Sequence, residues 1–371
     1  MPDTARCHMP DAARYHRLQL ALAAAGLALS IAYLVALLLT GAAHALARAA
    51  ATATDSAWGQ VAIVAGVLAG AHALLTFPLA WTRGWWLPRR YGLLHQSLRG
   101  WLADRAKAAL LAGALGLAAV EVVYALLRAT PLWWLWAAAV FLAANVALAF
   151  VFPVWIVPLF YRLTPLANEE LRERLLTLAR RAGVPVVGVW IADQSRKSRT
   201  ANAAVVGLGR TRRIVLFDTL AARFTPEEIE SVLAHELGHH VHGDARRGLA
   251  VQGALTFASF WLADRLLRAG APAFGLAGAS DPAGMPWLAL VLLALSLVAL
   301  PLGNAFSRWV ERQADDFALA TTGNPGAFIA AMERLAELNL AERRPSRLKE
   351  LVLYSHPALE RRIARARGGL A

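Results

Sequence analysis

The chain has 371 residues, a formal net charge of +13 and 58% hydrophobic residues. That apolar fraction excludes an ordinary water-soluble protein of this length. The single cysteine, Cys7, also excludes an intrachain disulfide framework and a metal site built from cysteines.

Six apolar segments follow a basic N-terminal tail, and most of them are long enough to cross a bilayer. They cover residues 18–40, 60–81, 106–127, 132–157, 249–267 and 287–306. We interpret the first as a retained anchor, because no clear cleavage site follows it. The fifth is the weakest, because it contains Gln252 and ends near Asp264 and Arg265. A buried amphipathic helix is the alternative for that segment.

Basic and nearly neutral segments alternate between these predicted spans. The N-terminal tail carries three arginines, the next loop carries only Arg48 and Asp55, and the second loop carries five arginines. The positive-inside rule therefore predicts six spans with both termini in the cytoplasm. Because the arginines flank spans, attraction to anionic lipid accounts for the net charge, and nucleic acid is not expected as a partner.

Two stretches, residues 161–247 and 307–371, are too polar for the membrane. In the first, Asn168 caps a predicted helix that ends at Gly183. Strands are predicted at residues 184–191, 202–208 and 213–217. The second stretch is predicted to be helical, with a break at Pro345.

The most informative motif is HELGH, residues 235–239. Thr225, Pro226 and Glu228 form a capping-box start, so the motif is predicted to lie on a helix. His235 and His239 then share one face and can bind one zinc ion, and Glu236 can act as a general base. A chance match on an ordinary helix is the alternative. The neighbouring His240 and His242 are expected to be solvated.

A third ligand must come from elsewhere in the chain. The metzincin position, six residues after His239, is Ala245, which excludes that class. The best candidate is Glu311 on a later helix, and Asp315 on the same face can orient a zinc-binding histidine. A solvated helix face is the alternative for this pair alone. The hairpin of the fifth and sixth spans brings both polar stretches to one side of the membrane.

HELGH, the hairpin, residues 307–315 and the sequence Tyr-Ser-His-Pro at 354–357 together resemble the CAAX prenyl endopeptidases of the Ste type, which are integral-membrane zinc proteases. The resemblance covers most of the chain from about Trp81 onward and includes residues 88–92 and 213–220. With the spans, it predicts a mainly α polytopic membrane helical bundle of about six spans that carries a small α+β zinc-protease domain of the gluzincin type. Eukaryotic members have seven spans, and the loop before residue 60 is too short for the additional one.

The resemblance implies a role for each matching residue. One Zn²⁺ per chain would be held by His235, His239 and Glu311, with Glu236 as general base and Asp315 behind a zinc-binding histidine. His356 would stabilise the oxyanion, and Asn202 and Ala203 would lie on an edge strand that binds substrate main chain. Arg362, which matches an arginine that follows the His-Pro pair, would also bind substrate. The expected division is a cytoplasmic tail (1–17), four spans (18–160), a zinc-protease part (161–246), a two-span hairpin (247–306) and a helical C-terminal part (307–371).

We therefore expect a zinc metalloendopeptidase of the bacterial inner membrane, with its zinc site and both termini in the cytoplasm. Its partners would be membrane lipid and peptide or protein substrates that are membrane-associated or extended, including prenylated CAAX-type substrates. The sequence leaves the oligomeric state open. A quality-control protease of the heat-shock type is one alternative, and the long membrane half before HELGH argues against it. A catalytically inactive membrane scaffold is another, and the presence of Glu236 argues against it.

Overall fold

The computed structural model of the chain describes residues 9–207 and 209–368, so Cys7, Leu208 and Ala371 lie outside it. The described part is mainly helical. Its α-helices are α1 Met9–Leu39, α2 Ala42–Ala53, α3 Ala57–Trp81, α4 Leu87–Arg90, α5 Leu98–Ala129, α6 Trp133–Val151, α7 Glu169–Arg181, α8 Asp218–Arg223, α9 Pro226–Val241, α10 Asp244–Gly270, α11 Met285–Thr322, α12 Pro325–Leu338, α13 Arg347–Leu353 and α14 Leu359–Ala366. The strands are β1 Leu163–Pro165, β2 Val189–Ala192, β3 Ala203–Val206 and β4 Arg213–Phe217.

Five of the described helical stretches are long and apolar enough to cross a membrane. They are Ala12–Leu39, Ala57–Arg90, Leu98–Ala129, Trp133–Leu159 and Pro282–Thr322. They match the first four predicted spans and the sixth, and with α10 they form a bundle of about six long helices. The predicted fold class is therefore confirmed.

Helix α10 stands where the fifth span was predicted. Its 27 residues correspond to about 40 Å of helix, but it is not among the five apolar stretches. Its buried Asp264 accepts hydrogen bonds from Trp133 Nε1 at 2.7 Å and Arg268 Nε at 2.9 Å. Phe260 and Leu267 of α10 pack in one apolar cluster with residues of α6 and α11. The carboxylate of Asp264 is thus paired inside the bundle, although its charge lowers the hydropathy of this segment.

Helix α2 occupies the loop that precedes residue 60. It has 12 residues, or about 18 Å, which is shorter than the roughly 30 Å of a bilayer core. Ala43 and Ala50 are fully buried, so α2 packs against its neighbours. This part of the chain is therefore a short packed helix, in agreement with the expectation that the loop is too short for an additional span.

The small sheet has the strand order β1-β2-β4-β3, which places β3 at an edge. Strand β2 pairs with β4 in parallel, and β3 pairs with β4 antiparallel. The predicted strand at 213–217 is confirmed, and the one at 202–208 is observed over Ala203–Val206. The predicted start of the first strand at residue 184 was wrong. The N–H of Val184 closes the end of α7 by donating to Ala179, and Pro185 has no N–H to donate.

Candidate metal centre

The helix that carries HELGH begins as predicted. Thr225 Oγ1 accepts a hydrogen bond from Glu228 N, and the Glu228 carboxylate accepts one from Thr225 N at 2.9 Å. Ile229, Leu233 and Leu237 of α9 are almost fully buried and anchor the helix in the core of the polar part. A buried, well-capped helix gives the motif a rigid platform.

Gly238 allows this helix to approach α11 closely. A Cβ atom at this position would lie 3.1 Å from Ala314 Cα and 3.2 Å from Phe317 Cβ, both on α11. A larger residue would push the two helices apart. The glycine therefore helps to bring HELGH within reach of Glu311.

Three donors converge between α9 and α11. One ligand atom each of His235, His239 and Glu311 lies within 4.8 Å of the other two. His235 Nε2 is 3.2 Å from Glu311 Oε2, and His239 Nε2 is 3.7 Å from Glu311 Oε1. Glu311 Oε2 is buried and accepts no hydrogen bond from the described residues. Two imidazole nitrogens that face the two oxygens of a buried carboxylate, one of which accepts no hydrogen bond from the described residues, fit a metal ion between them.

Carboxylates behind the two histidines fix their orientation. Asp315 Oδ1 lies 2.9 Å from His235 Nδ1, and Asp244 Oδ2 lies 3.0 Å from His239 Nδ1. Each contact occupies Nδ1 and leaves Nε2 facing Glu311. Arg362 donates two hydrogen bonds to the buried Asp315, at 2.8 and 2.6 Å. The structure thus places Asp315 behind His235, and it pairs Arg362, which was expected to bind substrate, with Asp315.

Asp244 was missed from the sequence. It lies five residues after His239, just beyond Gly243, whose φ of 69° turns the chain into α10. This turn returns the carboxylate to the side of the histidine. A carboxylate directly after a glycine turn was the available signal.

Burial and neighbouring charges shift the pKa values of two residues in the motif. Burial by itself would lower the pKa of His235, but the carboxylates of Asp315 and Glu311 outweigh it and raise that pKa to about 9. Burial raises the pKa of Glu236, against the effect of the two nearby imidazoles. Protons therefore compete with a metal ion at His235, and Glu236 is a stronger base than an exposed carboxylate.

His356 lies at the solvent-exposed side of the centre. Its Nε2 is 3.2 Å from Glu311 Oε1, and 57% of its side chain is exposed. His356 lies in the loop that follows α13. Arg308 of α11 fixes this loop, because its buried guanidinium donates to the carbonyls of Glu350 and Tyr354 at 3.0 and 2.6 Å. Sequence reasoning also missed Arg308, which acts only through main-chain carbonyls.

Asn202 and Ala203 lie at the start of the edge strand β3, which packs beside α9. Phe217 N of β4 donates to Asn202 O at 3.0 Å, and the Asn202 side chain accepts from Ala203 N at 2.9 Å. The whole residue Ala203 is 4% exposed, and it belongs to the hydrophobic core of the polar part.

The expectation that His240 and His242 are solvated was wrong. His240 Nε2 donates to the carbonyl of Val205 at 3.1 Å. The ring of His242 packs edge-on against Phe317, with 5.9 Å between centroids. Strand β3 thus contacts His240 on α9, and α11 contacts His242 just beyond the end of α9.

Sequence comparisons agree with this geometry. The profile of peptidase family M48 matches residues 165–369, and a profile described as "CAAX prenyl protease N-terminal, five membrane helices" matches residues 7–162. The chain belongs to peptidase family M48. Four of the five apolar stretches of this M48 peptidase lie within the matched membrane part.

Individual relatives share about a third of their aligned residues with this chain, or fewer. The M48 peptidase is 32% identical over 305 residues to the "Uncharacterized metalloprotease YhfN" of Bacillus subtilis, covering 81% of this chain and 71% of that protein. It is 35% identical over 176 residues to "CAAX prenyl protease 1" of Saccharomyces cerevisiae, covering 47% of this chain and only 39% of that relative. The crystal structure of S. mikatae Ste24p is similar with a TM-score of 0.77 at 26% identity, covering 84% of this chain and 77% of that one.

These similarities and the site geometry establish the class of the protein. It is a multi-pass integral-membrane metalloprotease that hydrolyses peptide bonds in peptide or protein substrates. The predicted family, enzyme class and general function are confirmed.

Proposed function

We propose that this M48 peptidase is a zinc-dependent endopeptidase of the bacterial cytoplasmic membrane that cleaves extended, membrane-associated substrates, including prenylated CAAX-type peptides. The convergence of His235, His239 and Glu311 beside Glu236 carries the proposal. Two histidines and one carboxylate, with a further position for water or substrate, form a common catalytic zinc set. One zinc ion per chain is expected, with residues 161–246 and 307–371 forming the protease part and residues 18–160 and 247–306 the membrane part.

The chain's own residues supply the proton transfers. Zinc, when bound, would polarise the scissile carbonyl and acidify the attacking water. Glu236 takes a proton from that water and passes it to the leaving amine, a task that its raised pKa suits. The imidazole of His356 donates a hydrogen bond to the oxygen on which negative charge develops. Arg362 compensates the charge of Asp315, which keeps His235 oriented.

The edge of β3 is the proposed binding surface for substrate main chain. Main-chain groups in an antiparallel pair alternate in direction, and Asn202 bonds to β4, so those of Ala203 and Val205 turn toward the free edge. His240 occupies the carbonyl of Val205. The carbonyl of Ala203 and the N–H of Val205 therefore remain for an extended peptide, which would pair as an added strand.

We expect Asn202→Ala to lower kcat/KM about tenfold and to leave zinc content unchanged, because one or two hydrogen bonds near the substrate are lost. Asn168→Ala is the matched control, since Asn168 caps α7 by accepting from Leu171 N at 3.0 Å, within α7 itself. Peptide kinetics and metal analysis of both variants provide the comparison. Equal kcat/KM values for the two variants would contradict the assignment. A bound peptide without main-chain contacts to residues 202–206 would do so as well.

The zinc site and both termini are proposed to face the cytoplasm. Reporter fusions after Ala371 and at Ala277, in the α10–α11 loop, should therefore report opposite sides of the membrane. A fusion at Asp55 in the α2–α3 loop serves as the control and should agree with Ala277. If Ala371 and Ala277 report the same side, α11 does not cross the membrane and the six-span topology is wrong. If Asp55 and Ala277 report opposite sides, α10 does not cross the membrane, which would contradict that topology as well.

The proposed function is tested with purified protein in lipid nanodiscs and peptides that differ only in the presence of a prenyl group. We expect zinc-dependent cleavage of the prenylated peptide, mapped by mass spectrometry, and its loss after chelation. A zinc-loaded protein that leaves CAAX peptides intact but degrades unfolded membrane proteins would instead indicate the quality-control alternative.

A further inference from the structure

Asn339, the residue that follows α12, makes an unusual contact with the chain just before β3. Its Oδ1 accepts a hydrogen bond from Ala201 N at 3.0 Å, and its Nδ2 donates to Ala201 O at 3.1 Å. A neighbouring strand residue would make the same two bonds. The carboxamide therefore takes the place of a paired residue at Ala201, which is 2% exposed and directly precedes Asn202.

The residues on either side of Ala201, Thr200 and Asn202, are held by α8 and β4. Thr219 Oγ1 donates to Thr200 O at 2.6 Å, and Phe217 N donates to Asn202 O at 3.0 Å. Asn339 differs from these partners because it directly follows α12. Phe328 and Met332 of α12 pack in the same core as the apolar face of α9. Asn339 thus connects the start of β3 to the hydrophobic core in which α12 packs against the metal-binding helix α9.

The turn after Asn339 is itself fixed. Leu340 has a φ of 48°, a left-handed conformation that is unfavourable for a leucine, and its side chain is 4% exposed. Its carbonyl accepts a hydrogen bond from His16 Nε2 of α1 at 2.8 Å. Ala341 N also donates to Ala336 O at 2.8 Å. The strained backbone of Leu340 is kept in place by these hydrogen bonds, which indicates that the fold requires the turn at this position.

We propose that Asn339 is a positioning residue for substrate. It fixes the start of β3 so that the free edge of this strand lies beside the metal-binding residues of α9. The inference rests on the proposed use of β3 as the substrate-binding edge. Asn339 touches no substrate itself and acts through the main chain of Ala201.

Asn339→Ala tests this role against Asn324→Ala, a matched change at the opposite end of the same helix. Asn324 caps α12 by accepting from Ala327 N at 2.9 Å, within α12 itself. We expect the KM of Asn339→Ala for an extended peptide to rise about tenfold, with zinc content unchanged and kcat within about twofold, because the strand binds ground state and transition state alike. Asn324→Ala should lower thermal stability without changing KM. Asn339→Asp, which keeps the acceptor but loses the donor, should also raise KM.

Hydrogen exchange supplies a readout that does not depend on catalysis. In Asn339→Ala the amides of residues 201–206 should exchange at least about tenfold faster than in the wild type, whereas in Asn324→Ala they should not. Unchanged exchange in Asn339→Ala, an unchanged KM, or an equal rise of KM in Asn324→Ala would each overturn the inference. Failure of the proposed function is recognised separately, as a wild-type protein that cleaves no peptide.

Discussion

Glu236→Gln should fold, retain its zinc and lose hydrolysis by a factor of about 10² to 10⁴, the usual contribution of a general base. Glutamine has nearly the same shape but cannot take up the proton. The carboxylate of Glu236 is not one of the three converging donors, so its replacement leaves His235, His239 and Glu311 in place. Single-turnover cleavage and zinc content of the purified variant are the measurements.

The control for this variant is Glu230→Gln on the same helix. Glu230 pairs with Arg174 at 2.7 Å and lies outside the site. It should retain both zinc and activity. Cleavage near the wild-type rate by Glu236→Gln would remove the general-base assignment, and loss of its zinc would show that Glu236 contributes to metal binding.

Glu311→Ala should weaken zinc binding by more than about 100-fold, because the loss of a ligand exceeds the 10- to 100-fold effect typical of residues behind the ligands. Activity should fall with the bound metal. The substitution removes the only one of the three converging donors that comes from α11 and leaves two imidazoles. Zinc affinity is measured by competition with a chelator of known affinity.

Asp316→Ala is the matched control on α11. Asp316 pairs with Arg365 through two short contacts at the surface, and its loss should not affect metal binding. Full zinc retention by Glu311→Ala would mean that the third ligand lies elsewhere. Equal weakening in both variants would indicate damage to α11 instead of the loss of a ligand.

The parts of the site that depend on local spacing could be predicted from the sequence. The capping box at Thr225 and the i, i+4 histidines specify a helix and a shared face without reference to the rest of the fold. Glu311 and Asp315 could be found because one helical turn separates them and the intervening hairpin returns the chain to the same side.

The remaining contacts depend on tertiary structure, which spacing does not encode. Asp244 meets His239 only because Gly243 turns the chain. Arg308 and Asn339 bind main-chain carbonyls and amides, which any residue could present. His240 was misjudged for the same reason, because its partner is the carbonyl of Val205 on a strand distant in sequence.

Hydropathy has the same limitation in the membrane part, because it does not include tertiary contacts. Helix α10 gave a weak signal because it contains Asp264, yet that carboxylate is 3% exposed and bonded to Trp133 of α6. The hydropathy of a segment is lowered by each charged residue, whether or not that residue is paired in the folded protein. Each of the five apolar stretches contains a long run with few charged residues, and they were therefore predicted directly.

The central claim is that one zinc ion lies between α9 and α11. Crystals of the purified protein, measured on both sides of the zinc absorption edge, test it most directly. We predict a single anomalous peak per chain, about 2.0–2.2 Å from His235 Nε2, His239 Nε2 and a Glu311 carboxylate oxygen. A peak held by other residues, or its absence from a protein that cleaves peptides, would contradict the account.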